Sequence, residues 1–271
     1  MDVATVNGVD LEYEIRGAGE TVLLISPMLA DGFLPLLAEP DLADHYRLIR
    51  YHKRGWVGST HTAGPVSIEE HAADAAALLD HLGVRRAHLV GHSSGAAVAA
   101  QLAVDDLDRV HTLALLELTV FSVPSGPGFL AQAAPVVEAY EAGDHEGAVA
   151  AFLSAVGGMT WEACRALLEQ RVPGMVAQAV KDADTFFTAE LPGVMGWAFG
   201  AEEATGIRRP VLSVLGSRTA PLWVEVAAFL RGALPYVDEV EIDGVGHLLH
   251  LERPAPVAAA IGGFLGSNPM R

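Results

Sequence analysis

Residues 91–95 read Gly91-His92-Ser93-Ser94-Gly95, a serine framed by two glycines. Where this pattern joins a strand to a helix, the sharp turn lifts the serine hydroxyl to the carboxyl edge of a sheet and makes it a nucleophile candidate. Here the apolar run RAHLV precedes it and the small-residue stretch SSGAAVAAQLAV follows. The glycines suit a tight, strained turn around which backbones pack closely. A serine hydroxyl needs a base at neutral pH. Gly244-Val245-Gly246-His247 follows the strand-like VEIDG, which puts His247 on a loop at the same sheet edge. His250, inside LLHLERP, falls on the following turn and is the lesser candidate for the base.

The elements that must position these residues can be read from periodicity. Alternating residues 2–16 flank Asn7-Gly8, a hairpin-turn signal. Residues 21–27, 46–51, 86–91, 110–116, 210–216 and 237–242 read as further strands. Ser67 followed by Glu70 predicts a capped helix ending at Gly83, and residues 254–265 predict another. Strand and helix alternate up to residue 117, which argues for a mostly parallel sheet with helices on both faces. Residues 118–206 break that alternation with Ala-rich helical stretches interrupted at PSGPG, VPG and LPG. They read as a helical cap inserted over one end of a core formed by 1–117 and 207–271.

Composition bounds the function. The chain has 271 residues, is 51% hydrophobic and carries a net charge of −17. Such an acidic surface repels phosphate backbones and argues against a nucleic-acid partner. The lone cysteine, Cys164, reads as a buried small hydrophobe and fits a cytoplasmic location. No signal peptide, membrane span or metal-ligand motif is evident, and no cofactor is implied.

In this order, the GHSSG turn, the loop HKRGWVGS, the inserted helices and GVGHLLHLERP resemble the α/β-hydrolase superfamily over nearly the whole chain. The resemblance implies an eight-stranded sheet and a triad in the chain order serine, acid, histidine. In most of that superfamily the acid follows the seventh strand, but here the loop is GSRTAP, with Thr219 about where an aspartate is expected. Glu225 falls too far into the next helix, and Asp238 and Asp243 lie on or beside the last strand. Glu117, closing the strand LALL, remains; a minority of the superfamily keeps its acid at that site. The elbow SSGA together with Glu117-Leu118 is similar to the zearalenone-lactonase type, which implies a glutamate there and little about the substrate.

The resemblance also implies an oxyanion hole from two backbone N–H groups, those of Ser94 and Met28. Met28 follows Ser26-Pro27, and Pro27 has no N–H to offer. His52, where relatives carry aspartate, reads as a loop brace or a substrate contact. Phe186, Phe187 and Trp197 could line an apolar pocket or pack helices together. Asp182 and Asp184 read as solvated helix charges. The expectation is a serine hydrolase of an apolar carboxylic ester or lactone, working through Ser93, Glu117 and His247. Carbon–carbon bond hydrolysis, cofactor-free perhydrolysis and non-catalytic binding of a small molecule are the alternatives.

Overall fold

The computed structural model describes residues 1–270. Eight strands form one sheet: β1 (Asp2–Val6), β2 (Val9–Arg16), β3 (Glu20–Ile25), β4 (Tyr46–Tyr51), β5 (Ala87–His92), β6 (Val110–Leu116), β7 (Val211–Gly216) and β8 (Val237–Ile242). Their spatial order is β1-β2-β4-β3-β5-β6-β7-β8. β1 and β2 pair antiparallel through a turn in which Asn7 and Gly8 both adopt positive φ, and β2 meets β4 antiparallel. Every other neighbour is parallel. The carboxyl ends of β3, β5, β6, β7 and β8 therefore open on one edge.

β3, β5 and β6 are buried along almost their whole length, which explains why they read as continuous apolar runs. Successive residues feed opposite layers. Leu23, Leu89 and Leu113 pack on one face, while Val22, Val90 and Ala114 pack on the other. The short helix α1 (Pro40–Ala43) lies on the second face. Helix α2 (Ile68–His81) begins with the Ser67–Glu70 capping box and buries Ala72, Ala75 and Leu78. Helix α3 (Ser94–Asp105) is buried from Ser94 to Ala103 because its small side chains let it approach the sheet closely.

Between β6 and β7 come α4 (Gly126–Glu141), α5 (His145–Gly157), α6 (Trp161–Arg171), α7 (Met175–Lys181), a π-helical turn (Thr185–Glu190), α8 (Leu191–Gly196) and α9 (Ala201–Gly206). The helices α4 to α7 and the π-helical turn form an apolar cluster, which reaches Met28, Trp56, Leu248 and Leu251 at the carboxyl edge, while Val194 of α8 and Ala204 of α9 join the core of the sheet. Cys164 is buried in the helical cluster, and burial pushes its thiol up to about 11. Helices α10 (Pro221–Ala233), α11 (Leu249–Glu252) and α12 (Pro254–Ser267) complete the chain. Among the described residues no helix is long and apolar enough to cross a membrane.

Candidate active site

Ser93 lies between β5 and α3 with φ 55° and ψ −119°, a conformation that L residues rarely adopt. Two features hold the turn. The Ser93 N–H donates to the Leu116 carbonyl at 2.9 Å. A side chain on Gly91 would lie 2.6 Å from Ala96 Cα, and one on Gly95 would collide with the Ile25 carbonyl. Only glycine fits either position.

Glu117 follows β6, also with positive φ (47°), and its N–H donates to the Val214 carbonyl at 3.0 Å. Its carboxylate is 1% exposed and lies at the meeting of three groups. His247 Nδ1 is 2.6 Å from Oε2. The Gly216 N–H donates to Oε1 at 2.8 Å, and the Thr219 hydroxyl donates to Oε2 at 2.7 Å. Thr219, standing about where an aspartate is expected, thus completes the hydrogen-bonding shell of Glu117. Glu225 instead accepts the Ser125 N–H at 2.7 Å, away from this cluster.

His247 is 4% exposed and its ring stacks on Trp223, with centroids 3.8 Å apart and planes at 18°. An ionised carboxylate is acceptor-only, so its bond to Nδ1 fixes the tautomer with Nδ1–H and leaves Nε2 as the basic nitrogen. Burial pushes the imidazole well below its ordinary value, which keeps it neutral. Burial pushes Glu117 up to about 7, against the lowering effect of the Gly216 and Thr219 hydrogen bonds.

Ser93 Oγ is 3.0 Å from Thr119 Oγ1, and Trp223 Nε1–H donates to the same threonine oxygen at 3.3 Å. Among the described residues Thr119 is the side-chain hydrogen-bonding partner of Ser93. Ser93 and His247 line one cavity, with about 760 Å³ of atom-free space including the part continuous with solvent. Its walls are mainly apolar: Met28, Phe121, Phe129, Phe152, Leu153 and Phe186. Met28 and Ser94 are both on the wall, and among the described residues neither N–H is engaged in a hydrogen bond. The Ser94 N–H also lies at the first turn of α3, where helix N–H groups are unpaired and the dipole favours negative charge.

Of the three aromatic candidates, Phe186 stands on the cavity wall. Phe187 turns away and stacks on Tyr140, with centroids 4.6 Å apart, because adjacent residues on a helical turn point to different sides. Trp197 packs against the core instead. Its Nε1–H donates to Gln101 on α3 at 2.8 Å and its ring stacks on Phe199. His52 braces the loops, with Nδ1 2.9 Å from Glu12 and Nε2 3.0 Å from Asp31. Asp182 is buried rather than solvated and accepts from Gln178 at 3.0 Å, whereas Asp184 is exposed.

Several wall residues had no signal in the sequence. Thr119, Trp223 and Glu190 reach the site from segments whose local patterns give no hint of chemistry. His92 and His250, their rings 4.3 Å apart and tilted at 54°, form part of the wall, and burial drives both well below the ordinary histidine value.

Sheet order, elbow geometry and the histidine loop at the carboxyl edge define the class, and the comparisons agree. Residues 29–254 match the family described as the alpha/beta hydrolase fold, and the chain belongs to it. Over 97% of its length and 98% of the relative's, it is 27% identical to a 2-heptyl-3-hydroxy-4-quinolone dioxygenase of Rhodococcus erythropolis. A stretch of 127 residues, 46% of this chain, is 36% identical to the dihydrolipoyllysine-residue acetyltransferase component of an acetoin cleaving system from Cupriavidus necator. The chain spans less than half the length of the first curated relatives it matches, 44% and 34%. The crystal structure of an enol-lactonase from Burkholderia xenovorans LB400 superposes with a TM-score of 0.77, covering 98% of this chain and 100% of that one at 24% identity. That likeness is one of fold.

Proposed function

We propose that the protein hydrolyses a carboxylic ester or lactone with an apolar body, through Ser93, His247 and Glu117. The observation that carries this reading is the 2.6 Å contact between Glu117 and the neutral, buried His247, on a cavity wall shared with Ser93. Thr119 has one proton and receives one from Trp223. Its own proton can then go to Ser93 Oγ, leaving the serine proton for His247 Nε2. Ser93 Oγ attacks the substrate carbonyl as Nε2 takes that proton, and Glu117 stabilises the imidazolium. The Met28 and Ser94 N–H groups hold the oxyanion. His247 then protonates the leaving alkoxide and activates water to release the acyl group from Ser93. The apolar walls supply binding energy without discriminating among polar groups.

The test is intact-mass labelling with a fluorophosphonate. Rapid modification of Ser93 in the wild type, and labelling of Glu117→Gln slower by about 10²-fold or more, is the expected result. No labelling of either protein would sink the hydrolase reading.

A second reading is favoured by the dioxygenase relative, similar end to end, and by the Ser93–Thr119 contact at 3.0 Å. In it His247 and Glu117 deprotonate an acidic hydroxyl on an apolar ring, dioxygen is the co-substrate, and Ser93 orients instead of attacking. Oxygen consumption with 2-heptyl-3-hydroxy-4-quinolone separates the two: uptake without fluorophosphonate labelling selects the second.

A further inference from the structure

Behind the Ser94 side of the cavity lies a buried charged cluster that the triad does not use. Lys53 Nζ is 2.7 Å from Glu190 Oε2, and the two residues are 3% and 1% exposed. The Ser94 hydroxyl donates to Glu190 Oε1. Lys53 comes from the loop after β4, Ser94 from the start of α3, and Glu190 from the end of the π-helical turn. π-Helical turns are rare and recur at functional sites.

The turn is fastened to the loop after β4 at two further points. The Thr185 hydroxyl donates to the Gly55 carbonyl at 2.6 Å, and the Val66 N–H donates to the Ala189 carbonyl at 3.1 Å. Gly55, with φ 86°, has no side chain to obstruct Thr185. Glu190 thus arrives at Ser94 along a fixed route. Residue 94 carries two polar groups three bonds apart: a backbone N–H free of any hydrogen bond, on a residue that lines the cavity, and a hydroxyl tied to Glu190. A carboxylate this close to a forming oxyanion would oppose it by repulsion, unless its charge were balanced. Lys53 supplies that balance at 2.7 Å from the side away from the reacting atoms.

We propose that Glu190 is a positioning residue that locks Ser94 so that its N–H points at the oxyanion, with Lys53 neutralising the charge this requires. The inference rests on the hydrolase reading. It adds that the turnover machinery extends into the helices between β6 and β7. Glu190 stands on the cavity wall, but both its carboxylate oxygens are held, by Ser94 and Lys53, so it acts through Ser94 and its effect belongs in kcat rather than KM.

The experiment is steady-state hydrolysis of p-nitrophenyl butyrate by the wild type, Ser94→Ala, Glu190→Ala, Glu190→Gln and the Ser94→Ala/Glu190→Ala double variant, each checked for folding by thermal denaturation. Ser94→Ala keeps the N–H and loses the tether. We expect it and Glu190→Ala each to lower kcat by about 10-fold or more, with KM within about 3-fold. We expect the double variant to fall no further than the worse single, because both break one link. Glu190→Gln keeps an acceptor oxygen and is expected to retain most of the turnover. Ser94→Ala leaves every buried charge paired, so it tests the tether even if the Glu190→Ala protein does not fold. A folded Ser94→Ala with wild-type kcat would overturn the inference alone, as would additive losses in the double variant. A wild type that neither hydrolyses the ester nor takes the fluorophosphonate would overturn the hydrolase reading and this inference with it.

Discussion

At the scale of single residues, the site turns on Glu117. Its carboxylate occupies a buried position that would be prohibitive for an isolated charge, and three donors around it make the position tenable: Gly216, Thr219 and His247. Thr219 is within 2.7 Å of the same oxygen that meets His247. The position where the resemblance would put the acid and the proposed acid, Glu117, therefore converge on one point. That proximity makes the acid transferable. We expect Glu117→Ala to lose about 10³-fold or more in kcat, and the added Thr219→Asp to recover at least about tenfold of it. Thr219→Asp alone should harm activity, since it sets two carboxylates side by side. Ester turnover by the three variants is the measurement; no recovery in the double variant would mean that the path from β7 is closed to an acid.

At the scale of elements, the β5–α3 turn stores strain at Ser93. A non-glycine residue at φ 55° and ψ −119° costs on the order of 1–3 kcal/mol, held in place by packing at Gly91 and Gly95. Both Ser93→Gly and Ser93→Ala remove the proposed nucleophile, but only glycine relaxes the backbone. We expect Ser93→Gly to be more stable than Ser93→Ala by about 1 kcal/mol in urea denaturation. Equal stabilities would show that the turn is not strained. The element boundaries were well marked in the sequence: the capping box at Ser67, Asn7-Gly8 in the hairpin and the apolar runs of β3 and β6 are local signals. The π-helical turn was not, because one inserted residue in a helix leaves composition and spacing almost unchanged.

At the scale of the whole molecule, the fold buries histidines as neutral groups. Burial drives His71, His92 and His250 well below the ordinary value of 6.5. Between that value and their folded-state values the unfolded chain binds more protons, so stability falls as the pH drops below 6.5. Each such group contributes at most about 1.4 kcal/mol per pH unit. Glu117, pushed up to about 7, works in the opposite direction and returns stability between pH 7 and 4.5. Asp182 and Glu252 are raised as well, so three carboxyls stand against five histidines, His88 and His247 included. We therefore expect the urea midpoint to be lower at pH 5 than at pH 7, with fully reversible unfolding as the condition for the comparison. A midpoint that rises on acidification would show that the raised carboxyls dominate.

Much of the candidate site follows from sequence alone. Gly91, Gly95 and their flanking strand and helix specify the elbow through steric demands that only neighbouring residues impose. The loop after the last strand puts His247 at the same edge, because parallel strands share a direction. Elimination among the acids, within the chain order that the α/β-hydrolase resemblance implies, leads to Glu117 as the candidate acid. What the sequence could not determine are contacts between residues far apart in the chain. Phe186 faces the cavity while Phe187 and Trp197 do not, and the rotation of a helix about its axis is set by what it packs against. Trp223 stacks on His247, Thr219 completes the shell of Glu117, and Lys53, Ser94 and Glu190 meet from three separate elements. Such clusters leave no local pattern, because the charges and hydroxyls that satisfy one another are brought together only when the helices between β6 and β7 close over the sheet.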